Sequence, residues 1–315
     1  MRGPRRVAGL LAAAAVALAG ACTAPDGSDG PDTLPAGVAG HLTAELHQER
    51  TQYADRRAVV HVTNGSGSTV TLLGGTLDAP GYGPSSPDGN HRPRTLAPGA
   101  GRDVRIRLGD VDCDAPVPER LSGADAQTTP VATATVRLAP GEADDDAGSG
   151  DGSGTEVVLD VTDPLARLAA VHAETCAERL VASGLALRVT DVRAARVRTP
   201  DGVADGGRVT LAADPVPGGP GVRLLQVAGT TLLSPAAGHA WSGDDLTPDA
   251  DGRVVLELVP ARCDPHVVAE DKRGTFLPVH AEVDGVRQPE IYVPMTDEQR
   301  AATYDLVHDA CGWRG

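Results

Sequence analysis

Apolar and polar residues alternate through 104–108, where Val104, Ile106 and Leu108 fall on one face of an extended chain and Arg105 and Arg107 on the other. The same alternation returns at 254–258, with Val254, Leu256 and Leu258 on one face and Val255 and Glu257 opposite. Each strand pattern sits in a longer echo. LAPGAGRDVRIRLGDVDCD at 96–114 and LTPDADGRVVLELVPARCD at 246–264 both place a cysteine 17 residues after the leading leucine. The core-building face is kept and the other varies, as expected where only one face is buried. A second echo links EVVLDVTD at 156–163 with EIYVPMTD at 290–297. Each copy then runs into a short helical pattern ending in a cysteine, VHAETC at 171–176 and VHDAC at 307–311. The chain therefore reads as one folding unit written twice, and a repeat of about 140 residues means duplicated domains and not a solenoid.

The two cysteine separations, 63 residues in the first copy and 48 in the second, differ by an insert at 140–155, PGEADDDAGSGDGSGT, whose composition cannot build a core. Strands are expected at 59–62 and 70–73, paired around Asn64-Gly65-Ser66-Gly67, then near Leu77 and at 104–108, 131–138 and 157–161. Residues 44–57 fit neither a strand nor a helix well. In the second copy 185–189, 208–211 and 222–227 are the counterparts, punctuated by Pro200-Asp201-Gly202 and Asp205-Gly206-Gly207, and Pro294 marks an edge or irregular strand. Many short strands without helical crossovers favour an antiparallel sandwich or barrel over a parallel sheet. The predicted fold is mainly β: two tandem, duplicated immunoglobulin-like β-sandwich domains, at 41–180 and 181–315, each ending in a short α-helix. Thr162-Asp163-Pro164 and the Thr296 to Gln299 capping box start those helices. Leu165, Leu168, Ala169, His172 and Cys176 form a face expected to dock on its own sandwich.

The N-terminus carries an address. Arg2, Arg5 and Arg6 precede a nearly unbroken apolar run at 7–18, too short to span a bilayer comfortably, and Ala19-Gly20-Ala21 supplies small residues before Cys22. Residues 18–22 resemble the lipobox of bacterial lipoproteins, with Ala19 where that family prefers Leu or Val. The resemblance implies removal of residues 1–21, acylation of Cys22 with diacylglycerol and palmitate-type chains, and a flexible lipid-anchored linker at 22–40. An ordinary secretory peptide cut after Ala21, leaving Cys22 as a thiol, is the alternative. Lys272 is the single lysine among 28 basic residues, and the body resembles uncharacterised cell-envelope lipoproteins of GC-rich bacteria.

Cysteine parity supports the anchor, because five cysteines leave one over in any fully paired scheme. With Cys22 assigned to lipid, Cys113, Cys176, Cys263 and Cys311 remain. Two pairings respect the repeat: 113 with 176 and 263 with 311, or 113 with 263 and 176 with 311. The first is favoured, since duplicated domains keep their staples internal. Each bridge would stabilise its domain by roughly 3 to 4 kcal/mol. That matters in a chain with only seven aromatic residues, whose core is mostly Val, Leu and Ala.

Candidate chemistry is sparse. His172 and His308 each lie near a repeat cysteine, and an imidazole beside a thiol can generate a nucleophile, but oxidation of the cysteines removes it. No G-x-S-x-G, C-x-x-C or H-E-x-x-H is present, so no cofactor and no metal are assigned. Residues 145–156 superficially follow a calcium loop, with Gly150 at the turn and Glu156 at the end, yet Ala147 takes a ligand position; Asp244, Asp245, Asp249 and Asp251 likewise read as solvated acids. A formal charge of −15 disfavours nucleic acid as a partner. The expected function is that of a membrane-anchored, extracytoplasmic, non-catalytic binding or scaffolding module, its partner an envelope protein or a small ligand at the inter-domain groove. A cell-envelope enzyme or enzyme accessory domain is the alternative.

Overall fold

The structure is a computed structural model and describes residues 33–48, 52, 56–89, 92–116, 120–142, 154–269 and 273–313. The leader, Cys22, most of the linker and most of the acidic insert lie outside the described residues. In the first half β1 (Leu42–His47), β2 (Arg57–Asn64), β3 (Val70–Asp78), β4 (Ser86–Pro87), β5 (Arg94–Leu96), β6 (Gly101–Arg107), β7 (Ala132–Pro140) and β8 (Thr155–Thr162) form one sheet ordered β4-β6-β2-β1-β8-β7-β3-β5. A short helix α1 (Gly123–Thr128) precedes β7, and α2 (Arg167–Gly184) follows β8. The sheet folds over on itself, bringing β3 against β4 and β6, and Leu46, Val60, Leu72, Ile106, Leu138 and Val161 meet in one core.

The second half contains β9 (Leu185–Thr199), β10 (Gly202–Pro215), β11 (Val222–Val227), β12 (Leu233–Pro235), β13 (Trp241–Ser242), β14 (Arg253–Pro260), β15 (Phe276–Val283), β16 (Val286–Arg287) and β17 (Ile291–Pro294). Helix α3 (Pro265–Ala269) follows β14, and α4 (Asp297–Ala310) closes the half. One sheet runs β12-β14-β10-β9; the other runs β13-β11-β15, with β16 and β17 both paired to β15. Leu211, Val254, Leu256 and Leu258 of the first sheet pack with Val227, Leu277, Val279 and Ile291 of the second. The architecture is thus mainly β and sandwich-like. Burial of such side chains contributes on the order of 1.5–3 kcal/mol each.

Apart from the two-residue β16, which has no counterpart in the first half, strand order is the same in both halves. Reading across the first sheet gives β4-β6-β2-β1 and then β8-β7-β3-β5; the second half gives β12-β14-β10-β9 and then β17-β15-β11-β13. The halves differ at the join between the two runs. Ala44 and Glu45 ladder in parallel with Val161 and Thr162, whereas β9 lies beside β17 with no ladder between them among the described residues.

Several local expectations need correction. Residues 42–47 are a strand whose Leu42, Ala44 and Leu46 are buried; the alternation begins two residues before the segment judged ambiguous. β2 and β3 do not pair with each other, because β2 ladders with β1 and β6 while β3 ladders with β7 and β5. Buried Asn64 makes that crossing: its amide donates to Ser68 O at 2.9 Å and Leu96 O at 3.0 Å, and its Oδ1 accepts from Ser66 N at 2.9 Å. Pro200 and Asp201 do turn the chain between β9 and β10, but Gly206 and Gly207 sit inside β10. A Cβ at Gly207 would come within 2.1 Å of Leu306 Cδ1, so the missing side chain lets α4 lie on the sheet.

Helix α2 begins at Arg167, and Leu165 is exposed ahead of it. Asp163 caps it from across the turn, accepting from Arg167 N at 2.9 Å and Leu168 N at 2.8 Å. The helix does not serve its own half alone. Leu168 belongs to the first core, whereas Ala177 and Val181 belong to the second. It passes directly into β9, so residue 180, the expected domain boundary, falls within helix. Helix α4 carries the capping box anticipated at Thr296 and Gln299, with Thr296 N donating to Gln299 Oε1 at 2.9 Å.

Candidate functional site

Disulfides fix both helices to the loop beyond a core strand. Cys113, after β6, bonds Cys176 on α2, and Cys263, after β14, bonds Cys311 at the end of α4. Neither pair therefore offers a thiolate. His172 is buried against the first bridge, with Nε2 3.0 Å from Asp112 O and Nδ1 3.8 Å from Cys176 Sγ. Its ring meets Tyr82 edge-on, and the Tyr82 hydroxyl donates to Leu168 O at 2.6 Å. Burial, reinforced by the Asp163 charge, holds the Tyr82 phenol far above its ordinary pKa. These groups hold the start of α2 in place. His308 contacts Asp309 at 3.1 Å and meets Trp313 edge-on.

The remaining acids flagged by sequence make turns. Asp245 accepts from Ser242 N, and Asp249 accepts from Asp251 N and Arg253 N. Glu156 lies in β8 opposite Arg137, which removes it from a loop; Asp145 and Gly150 lie outside the described residues. Among the described residues no group of three or more His, Cys, Asp or Glu is placed to hold a metal ion.

Chemistry gathers instead where the two halves meet. β15 points Leu277 and Val279 inward, which turns Phe276 and Pro278 outward; β17 points Ile291 and Val293 inward and Tyr292 outward. Facing this surface is the exposed side of α2, with Arg167, Ala170, Val171, Glu174 and Glu178, and the cleft is closed by Gln48 and Arg56 of the first half. Its volume is about 390 Å³. A second cleft of about 560 Å³ adjoins it, lined by Thr230, Thr231, Ser234 and Arg262. Arg273, Phe276 and Tyr292 line both clefts, so the two form one groove with a shared floor.

The floor is a connected set of polar groups. Arg273 reaches Glu174 Oε1 at 3.2 Å, and its guanidinium carbon lies 4.1 Å over the Tyr292 ring. The Tyr292 hydroxyl donates to Glu290 Oε1 at 2.5 Å, and Glu290 Oε2 meets His280 Nε2 at 3.2 Å. Burial raises the Glu174 carboxyl above its usual range against the opposing pull of Arg273. Burial, followed by the Glu290 hydrogen bond and charge, pushes Tyr292 up to about 12. At neutral pH the phenol stays protonated and donates to Glu290.

Sequence reading anticipated a groove between the halves but none of the residues that line it. One signal was available: in a chain with a single Phe, alternation around Leu277 puts that Phe on the solvent side, where an apolar ring has no structural need to be. The arginines gave none, because their sites come from distant segments. No protein-family model matches this chain, and no curated protein matches it in sequence.

Proposed function

We propose that this chain is a lipid-anchored, extracytoplasmic binding module, built of two tandem immunoglobulin-like sandwiches derived from one duplicated unit, that takes its ligand in the groove between them. Duplication is supported by the matching strand orders, by the equivalent roles of Val104, Ile106 and Leu108 and of Val254, Leu256 and Leu258 in the two cores, and by the two strand-to-helix disulfides. Export is supported by those same bridges, since disulfides persist in oxidising compartments. No described helix is long and apolar enough to cross a membrane, and Cys22 would supply the attachment.

The observation that carries the binding role is the groove floor. Arg273, held by Glu174 and stacked on Tyr292, joins the helix of one half to the sheet of the other and leaves Phe276 partly open to solvent. Such pre-positioned polar groups on an apolar floor suit a ligand that is held and not transformed. The reading is tested by placing a photo-cross-linking amino acid at Ala170, inside the groove, or at Val203, which lines neither cleft, in cells making the full-length protein. A specific adduct from position 170 alone is expected. Equal labelling from both positions, or none from 170, overturns the groove. In parallel, Cys22→Ser is expected to move the protein from the membrane fraction to the soluble exported fraction; retention on the membrane removes the anchor.

A further inference from the structure

The charge of the groove is opposite to that of the chain. Overall the protein carries −15, yet among the described residues the two clefts are lined by Arg56, Arg167, Arg262 and Arg273 against Glu174 and Glu178, with Asp110 3.9 Å from Arg56. Glu174 is already engaged by Arg273, and the guanidinium of Arg262 makes no ion pair with any described residue. A cation without an ion-pair partner among the described residues, beside a partly exposed aromatic ring, is a place where an incoming anion gains a charge-assisted bond.

Around Arg262 the lining includes the hydroxyl residues Thr230, Thr231 and Ser234 and the aromatic rings of Phe276 and Tyr292. Thr230 Oγ1 is spent on the local turn, donating to Gly274 O at 2.8 Å and accepting from Leu233 N at 3.0 Å, so it stiffens the wall. Ser234 lines the opening, and Phe276 forms part of the floor shared with the second cleft. Arginine forks for carboxylates, hydroxyls for ring hydroxyls and a flat ring for C–H faces are the three contacts a charged sugar needs. The two clefts are arranged in series, which suits a ligand of several rings better than one small anion. An acidic peptide would match the arginines but would leave the aromatic floor without its apolar face.

We infer that the groove binds an acidic oligosaccharide, a carboxylate of it on Arg262 and a sugar ring on Phe276. This rests on the reading of the groove as the ligand site and names the ligand's class.

The test is isothermal titration of the full exported chain with a four-residue oligogalacturonate, an uncharged oligosaccharide of equal length and a short polyglutamate peptide. Only the oligogalacturonate is expected to bind, more weakly as salt is raised. Arg262→Ala is expected to weaken it about ten-fold or more, the scale of one charge-assisted hydrogen bond, and Phe276→Ala is expected to weaken it as well. Circular dichroism checks that both variants fold. Equal binding of the uncharged sugar, binding of polyglutamate alone, binding of neither acid, or an affinity unchanged in both variants each overturns the assignment. Cross-links from Ala170 without saccharide binding would keep the groove and discard this ligand class; saccharide binding insensitive to the groove variants would do the reverse.

Discussion

Arg273 holds its guanidinium carbon 4.1 Å above the ring of Tyr292 while its Nη2 bonds Glu174 across the junction between the halves. Glu174 is partly withdrawn from water, and its burial outweighs the arginine in setting its protonation. A carboxyl whose pKa is raised on folding binds protons more tightly in the native state. Its contribution is complete below the ordinary glutamate value and is lost as pH rises through the raised one. Stability should therefore decline as pH rises above about 4.5, the ordinary glutamate value, by an amount that Glu174→Gln abolishes. Urea midpoints at pH 4, 5.5 and 7 for the two proteins check this, and parallel curves would exclude it.

Removing the bridge at Cys113 and Cys176 by double substitution to Ala frees a loop that spans 63 residues. The chain-entropy estimate for a closure of that size is about 4 kcal/mol. Chemical denaturation should register a loss of this order. Amide exchange should accelerate first in α2 near Leu168 and His172, which the bridge holds against the first sheet.

Gly207→Ala places a methyl against Leu306 and against the backbone oxygen of Arg193, 2.7 Å from the ideal Cβ. The helix or the strand must shift, at a cost of about 1–3 kcal/mol. The near-ultraviolet dichroism of Trp313, which follows α4, should change with it. A wild-type unfolding midpoint and spectrum would mean that α4 does not rest on β10.

Asn64→Ala removes the side chain that holds the crossing between β2 and β3, together with its bonds to Ser66, Ser68 and Leu96. Because the Leu96 carbonyl is left buried without this partner, a loss of about 2–3 kcal/mol is expected in denaturant unfolding. A loss under about 0.5 kcal/mol, the ordinary range for a surface change, would show that the loop holds itself.

Much of the architecture was legible because period-two alternation records burial directly. Val104, Ile106 and Leu108 and their later counterparts specify a strand with one hidden face, and the cysteine spacing placed a staple at the same point in each half. Where the reading failed, a local signal met a non-local decision. Asn64-Gly65-Ser66-Gly67 has the composition of a hairpin turn, but turn residues do not say which strands will pair, and here they carry the chain elsewhere. Gly206 and Gly207 look like punctuation until the approach of Leu306 and Leu258 O gives them a reason. The groove was hardest to see. Arg56, Glu174, Arg262 and Arg273 meet only after both halves are folded, and no spacing along the chain records that meeting.

Helix α2 spends its first turn on one core and its last turns on the other, and no spacer separates it from β9. A chain emerging N-terminus first would finish its leading body while Ala177 and Val181 still faced water. That stripe would be covered only when the trailing strands arrived. A stop codon placed after residue 184 would therefore yield a product with an adhesive flank and not a smaller version of the whole.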